Sequence, residues 1–85
     1  MPGKLEWTNR AVKDIGEVNP KDRDSIIQAL DKLIETRQGD ILKLHGTTAE
    51  WRLRVADWRV RFSFLDNGNI LILRVRNRRE AYREG

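Results

Sequence analysis

Residues 51–62, WRLRVADWRVRF, alternate apolar side chains with arginine in two runs separated only by Ala56 and Asp57. A period of two is the signature of β-strands with two unlike faces. A third run, ILILRVR at 70–76, follows the turn sequence DNGN at 66–69. Three strands are therefore expected at 51–55, 58–65 and 70–76, joined by tight turns at Ala56-Asp57 and Asn67-Gly68. With those turns, Arg54 faces Arg59 and Arg52 faces Arg61 in the first hairpin. In the second, Arg61 faces Arg74 and Arg59 faces Arg76. One face then collects Trp51, Leu53, Val55, Trp58, Val60, Phe62, Phe64, Leu71, Leu73 and Val75. The other collects the six arginines, with Ser63, Leu65, Ile70 and Ile72 at its far end. A one-residue slip in either hairpin would bring arginine into the core, so register and burial support each other.

An apolar sheet face needs a cover, and the first half of the chain supplies one. KLEWT, residues 4–8, alternates as a first strand, and Thr8 or Asn9 can cap a short helix carrying Ala11, Val12 and Ile15. Asn19-Pro20 starts a second helix, since proline in the first turn loses no needed hydrogen bond. Its Ile26, Ile27, Leu30, Leu33 and Ile34 form a stripe of period 3.6, and Gly39 is its expected stop. Residues 40–50 read as a connecting loop. The predicted fold is α+β: a helical hairpin on one face of a mainly antiparallel four-stranded sheet, in the order β-α-α-β-β-β, as one domain over residues 1–85.

Directly opposed like charges destabilise a sheet by some tenths of a kcal/mol per pair. The arginine face therefore asks for a counter-charge. Asp14, Glu17, Glu80 or Glu84 could supply it from within, or the arginine stems could simply cover the sheet with their heads in water. The charge distribution points outward instead. Residues 1–50 hold eight Lys and Arg against nine Asp and Glu, whereas residues 51–85 hold nine against four, and all nine are arginine. Arginine offers a planar fork of donors that grips phosphate bidentately and stacks on bases. An anionic partner, nucleic acid above all, is the expectation. With no cysteine and one histidine, His45, the chain has no thiol nucleophile, and a Cys- or His-based metal centre is not expected. No cofactor is called for. The sequence shows no signal-peptide core or membrane-length apolar run, so a cytoplasmic protein without a membrane partner is expected.

The order of elements, with WRLRVADWRVRF, ILILRV and the ending RNRREAYR, resembles the RelE/ParE-like bacterial type II toxin superfamily across essentially the whole chain. Arg78 followed four residues later by Tyr82 is more similar to the messenger RNA interferase branch than to the gyrase-poisoning branch. The resemblance implies an endoribonuclease that cuts mRNA in the ribosomal decoding site. It also implies a cognate antitoxin, acidic and partly disordered, forming a hetero-oligomer with a toxin that is itself monomeric. Carried onto this sequence, the catalytic positions are Arg52, Arg54, Arg59, Arg78 and Tyr82. Arg61, Arg74, Arg76 and Arg79 extend the arginine surface as RNA-binding residues. Arginines suit stabilisation of a phosphoryl transition state, but their charge is permanent, which makes them poor bases. Tyr82, His45 and Asp40 are the candidates for proton transfer. A gyrase-directed toxin and an RNA-binding domain without catalysis are the alternative readings.

Overall fold

In a computed structural model, residues 3–46 and 49–78 are described. The elements are β1 (Leu5–Trp7), α1 (Asn9–Gly16), α2 (Pro20–Thr36), β2 (Ile41–Lys43), β3 (Trp51–Val55), β4 (Trp58–Phe64) and β5 (Ile70–Asn77). They form one sheet in the order β1-β5-β4-β3-β2, with β1 parallel to β5 and the other pairs antiparallel. Both helices pack on its apolar face, as expected. The sheet has five strands rather than four, because Ile41–Lys43, expected within a loop, pairs with Trp51–Leu53. Three residues are too few to show an alternation, so β2 becomes a strand only when β3 is there to pair with it.

The helices start where their caps lie. Thr8 Oγ1 accepts from Ala11 N, and Asn19 Oδ1 accepts from Asp22 N. The second helix stops earlier than Gly39. Its cap is Arg37, held in the left-handed region at φ 59°, with its N–H on Leu33 O. A non-glycine residue is disfavoured there. The Arg37 side chain offsets that cost by donating from Nη2 to Gly68 O at 2.7 Å and lying 5.2 Å over the Phe64 ring.

The first hairpin matches the expected register from Trp51↔Phe62 to Val55↔Trp58. Ala56 takes φ 51° in its turn, a conformation that glycine adopts without a Cβ penalty. Ala56→Gly is expected to raise stability by about 0.5–1 kcal/mol, the left-handed strain outweighing the added chain entropy. Urea denaturation of the two forms checks this.

The second hairpin departs from expectation twice, and the two departures cancel. The loop contains three residues, Asp66 to Gly68: Leu65 N donates to Asn69 O, Gly68 N donates to Leu65 O, and only Gly68 has positive φ, at 87°. That slides the strand ends by one, pairing Phe64 with Ile70 and Phe62 with Ile72. A β-bulge between Arg61 and Phe62, with Leu73 as the extra residue, then restores Arg61↔Arg74 and Arg59↔Arg76. The slip is confined to the turn-proximal end, and the arginines stay together. Consequently Ile70 and Ile72, expected on the arginine face, are fully buried in the core, whereas Leu71 and Leu73 are only partly buried.

The core joins Ala11, Val18, Ile26, Leu30, Leu33 and Ile34 of the helical layer to Leu53, Val60, Phe62, Ile70, Ile72 and Val75 of the sheet. Trp7, Trp51 and Trp58 pack partly buried against it, in keeping with structural roles. Trp58 Nε1 also donates to Asp22 Oδ2 at 3.0 Å, tying β4 to the first turn of α2. This bond, with a second from Asn19 Nδ2, holds the Asp22 carboxyl below its ordinary pKa.

Candidate nucleic-acid interface

Pairing arranges the uncovered face in rows. One row runs from Arg54 to Arg59 to Arg76; the next runs from Leu42 to Arg52, Arg61 and Arg74. The four expected arginine contacts across strands are all present. They are accompanied by carboxylates at the margins of the patch. Asp40, just before β2, accepts from Arg54 Nε at 2.7 Å, while its carbonyl takes Arg54 N at 2.9 Å. Glu50, just before β3, is paired with Arg61. Asp14, on α1, accepts from Arg74 Nε at 2.8 Å. Among the described residues, these six arginines and three carboxylates leave a formal excess of three positive charges.

The three ion pairs are of two kinds. Asp14 and Arg74 have side chains 17% and 24% exposed, and Asp14 Oδ2 also takes Val75 N at 3.0 Å. Here β5 extends past the end of β1, and its edge groups need other partners. Thr8 Oγ1 supplies one by donating to Leu73 O, and Asp14 supplies another. Burial by itself raises the Asp14 pKa, but the bonds from Arg74 and Val75, with the charges of Arg74 and Arg76, outweigh it and hold the carboxyl below 3.8. A depressed folded pKa stabilises the fold above the unfolded value, and that contribution is lost as pH falls through the folded value. Asp14→Ala is therefore expected to cost about 1–3 kcal/mol at pH 7, by leaving Val75 N–H and Arg74 without their acceptor. The deficit should shrink as acid below about pH 4 protonates the wild-type carboxyl. Denaturation at pH 7 and pH 3 measures both. Asp40 and Arg54, by contrast, are about half exposed, at 51% and 50%.

Between these pairs lies the centre of the patch. Arg52 Nε and Arg59 Nη1 are shielded from solvent and make no hydrogen bond among the described residues. Buried donors of a guanidinium normally have acceptors.

The other expected site residues are distributed unequally. Arg78 is exposed, with its N–H on Asp57 O, so it stands beside the Ala56-Asp57 turn, just past Arg76. His45 is exposed in the connection before β3. The length of β3, about 16 Å at the usual rise per residue, separates His45 from Arg78. Asp40 lies at the Arg78 end but is engaged by Arg54. Tyr82 and Arg79 lie outside the described residues, as do Glu80 and Glu84. Of the internal counter-charges expected, Asp14 is present, and Asp40 and Glu50 add two outside that set. Glu50 was legible, because it extends the parity of Arg52 and Arg54 by one step. Asp40 was not, because its place depends on β2.

Residues 5–82 match the family described as ParE toxin of type II toxin-antitoxin system, parDE. The chain belongs to this toxin family. The toxin is also similar to solved structures of RelE type. The RelB-RelE antitoxin-toxin complex of Methanococcus jannaschii aligns at TM-score 0.77 and 22% identity, over 93% of this chain and 96% of that one. The RelE-RelB complex of Pyrococcus horikoshii gives 0.77 and 24%, over 92% and 97%. The RelBE2 complex of Mycobacterium tuberculosis gives 0.79 and 20%, over 92% and 100%. At such identities the likeness is one of fold. No match was found among curated proteins. Among the described residues no group of three or more His, Asp or Glu comes together as a metal site, and no helix is long and apolar enough to cross a membrane.

Proposed function

We propose that this toxin is an mRNA endoribonuclease acting in the ribosomal decoding site. The observation that carries the reading is the centre of the arginine face, where Arg52 and Arg59 hold shielded donors with no acceptor among the described residues. A phosphodiester offers the planar, doubly accepting anion that such donors bind best. In the reaction the ribose 2′-oxygen attacks the adjacent phosphorus and the bond to the 5′-oxygen breaks; one proton leaves the nucleophile and one joins the leaving oxygen. Arg59 and Arg78 stabilise charge on the phosphoryl oxygens, and Arg52 and Arg54 position the backbone. Arg61, Arg74, Arg76 and Arg79 extend the contact along the strand. Tyr82 is assigned to proton transfer or to stacking on a base. Docking on the ribosome supplies orientation, so free RNA is a poor substrate.

The partner that silences the toxin is a cognate antitoxin. Several RelE structures similar in fold are complexes with RelB, and an acidic, partly disordered chain is the natural complement to a surface of this charge.

A gyrase-directed activity is the second reading, favoured by the match to the ParE family. Mapping RNA 5′ ends in translating extracts separates the two. Codon-positioned breaks that appear only with ribosomes support cleavage of mRNA. DNA damage without RNA breaks supports the gyrase reading.

A further inference from the structure

Two of the three carboxylates on the arginine face belong to one stretch of chain. Asp40 precedes β2 and Glu50 precedes β3, and the connection between them is closed by Leu44 N on Glu50 O at 3.0 Å. Their carboxylates engage Arg54, two residues along β3 from Arg52, and Arg61, directly across from Arg52 on β4. Among the described residues, neither carboxylate has a second hydrogen-bond donor of the kind that Val75 N gives Asp14. Partly exposed ion pairs of this sort hold weakly and exchange readily. The Asp14 pair is fixed in the fold, whereas the pairs made by Asp40 and Glu50 are replaceable.

We propose that Asp40 and Glu50 form an autoinhibitory counter-anion on the RNA-binding face, occupying Arg54 and Arg61 until the phosphates of a bound RNA strand displace them. The inference rests on the RNA reading above and adds a control on affinity to it. The two carboxylates stand where backbone phosphates flanking the central one would lie. They lessen the like-charge repulsion between Arg54 and Arg59 and between Arg52 and Arg61 in the free protein. They also weaken non-selective capture of RNA, since each arginine they release adds one phosphate contact. Only a strand long enough to reach past Arg52 and Arg59 gains both contacts.

The test is binding of a 12-nucleotide single-stranded RNA, 2′-O-methylated to block cleavage, followed by fluorescence anisotropy across a salt series. Asp40→Asn and Glu50→Gln should each bind about fivefold tighter at low salt, the scale of one unit charge removed about 4 Å away in water. The slope of log K against log salt should steepen by about 0.7 for each arginine released, and the two changes should add in the double variant. Glu35→Gln makes the same charge change on the exposed side of α2, in the layer opposite the arginines, and should leave both quantities unchanged. The proposal is overturned when Asp40→Asn and Glu50→Gln bind no tighter than wild type, or when Glu35→Gln reproduces their effect. Arg52→Ala separates the two levels. If it weakens binding while the carboxylate variants change nothing, the counter-anion fails and the RNA reading stands. If it binds as wild type does, or if no form binds RNA, both fall.

Discussion

Arg59→Ala is expected to abolish growth arrest on induction and to lower the yield of mapped mRNA breaks by about 100-fold, the usual consequence of removing one fixed donor from a transition-state anion. Arg59 stands between Arg54 and Arg76, at the middle of one of the two rows of three arginines. Removing it relieves two like-charge contacts, so the fold should be unchanged or more stable by a few tenths of a kcal/mol. Activity and stability should therefore move independently, or in opposite directions. Arg59→Lys keeps the charge without the planar fork and should recover only part of the cleavage. Full toxicity in Arg59→Ala, with the protein folded, would remove the central arginines from the mechanism. Arg78→Ala should give a comparable loss if the reacting phosphate lies at the Ala56-Asp57 end of the sheet.

The largest expected effect on stability lies on the other side of the same strand. Phe62 follows Arg61 directly, is fully buried, and meets Phe64 edge to face at 5.2 Å between centroids. Its partner across the bulge is Ile72. Phe62→Ala should cost about 3–5 kcal/mol, combining lost transfer energy with a cavity that rigid neighbours cannot fill. A domain of this length has a total stability of about 4–13 kcal/mol, so the variant should be marginal at 37 °C. Thermal and urea denaturation measure the loss, and Phe62→Leu, which leaves a smaller void, should lie between the two. A cost below about 1 kcal/mol would mean that the bulge region collapses to fill the space.

These two neighbours show how much of the protein can be read from its chain. Strict alternation told Arg61 from Phe62, since one face had to be apolar for the helices to pack on. It also brought Arg52, Arg54, Arg59, Arg61, Arg74 and Arg76 together across three strands. The turn at 66–68 is one residue longer than its sequence predicts, and every pair of the second hairpin would be displaced if β5 lacked a bulge at Leu73. A bulge leaves little mark in a run such as ILILRV, where both parities are apolar. Its place is favoured instead by Thr8 and Asp14, distant in sequence, which bond Leu73 O and Val75 N.

The carboxylate rim divides in the same way. Glu50 lies on the arginine face because strand parity continues one residue before β3, a local rule that the sequence contains. Asp40 reaches Arg54 because β2 pairs with β3, and Asp14 reaches Arg74 because α1 packs beside the uncovered part of β5. Local periodicity thus determined the two faces, the two helices and the gathering of the arginines, because side-chain direction follows backbone period. Tertiary structure alone decided which arginines form the described ion pairs and which hold shielded donors at the centre, because an ion pair depends on distance between segments that the period of neither one specifies.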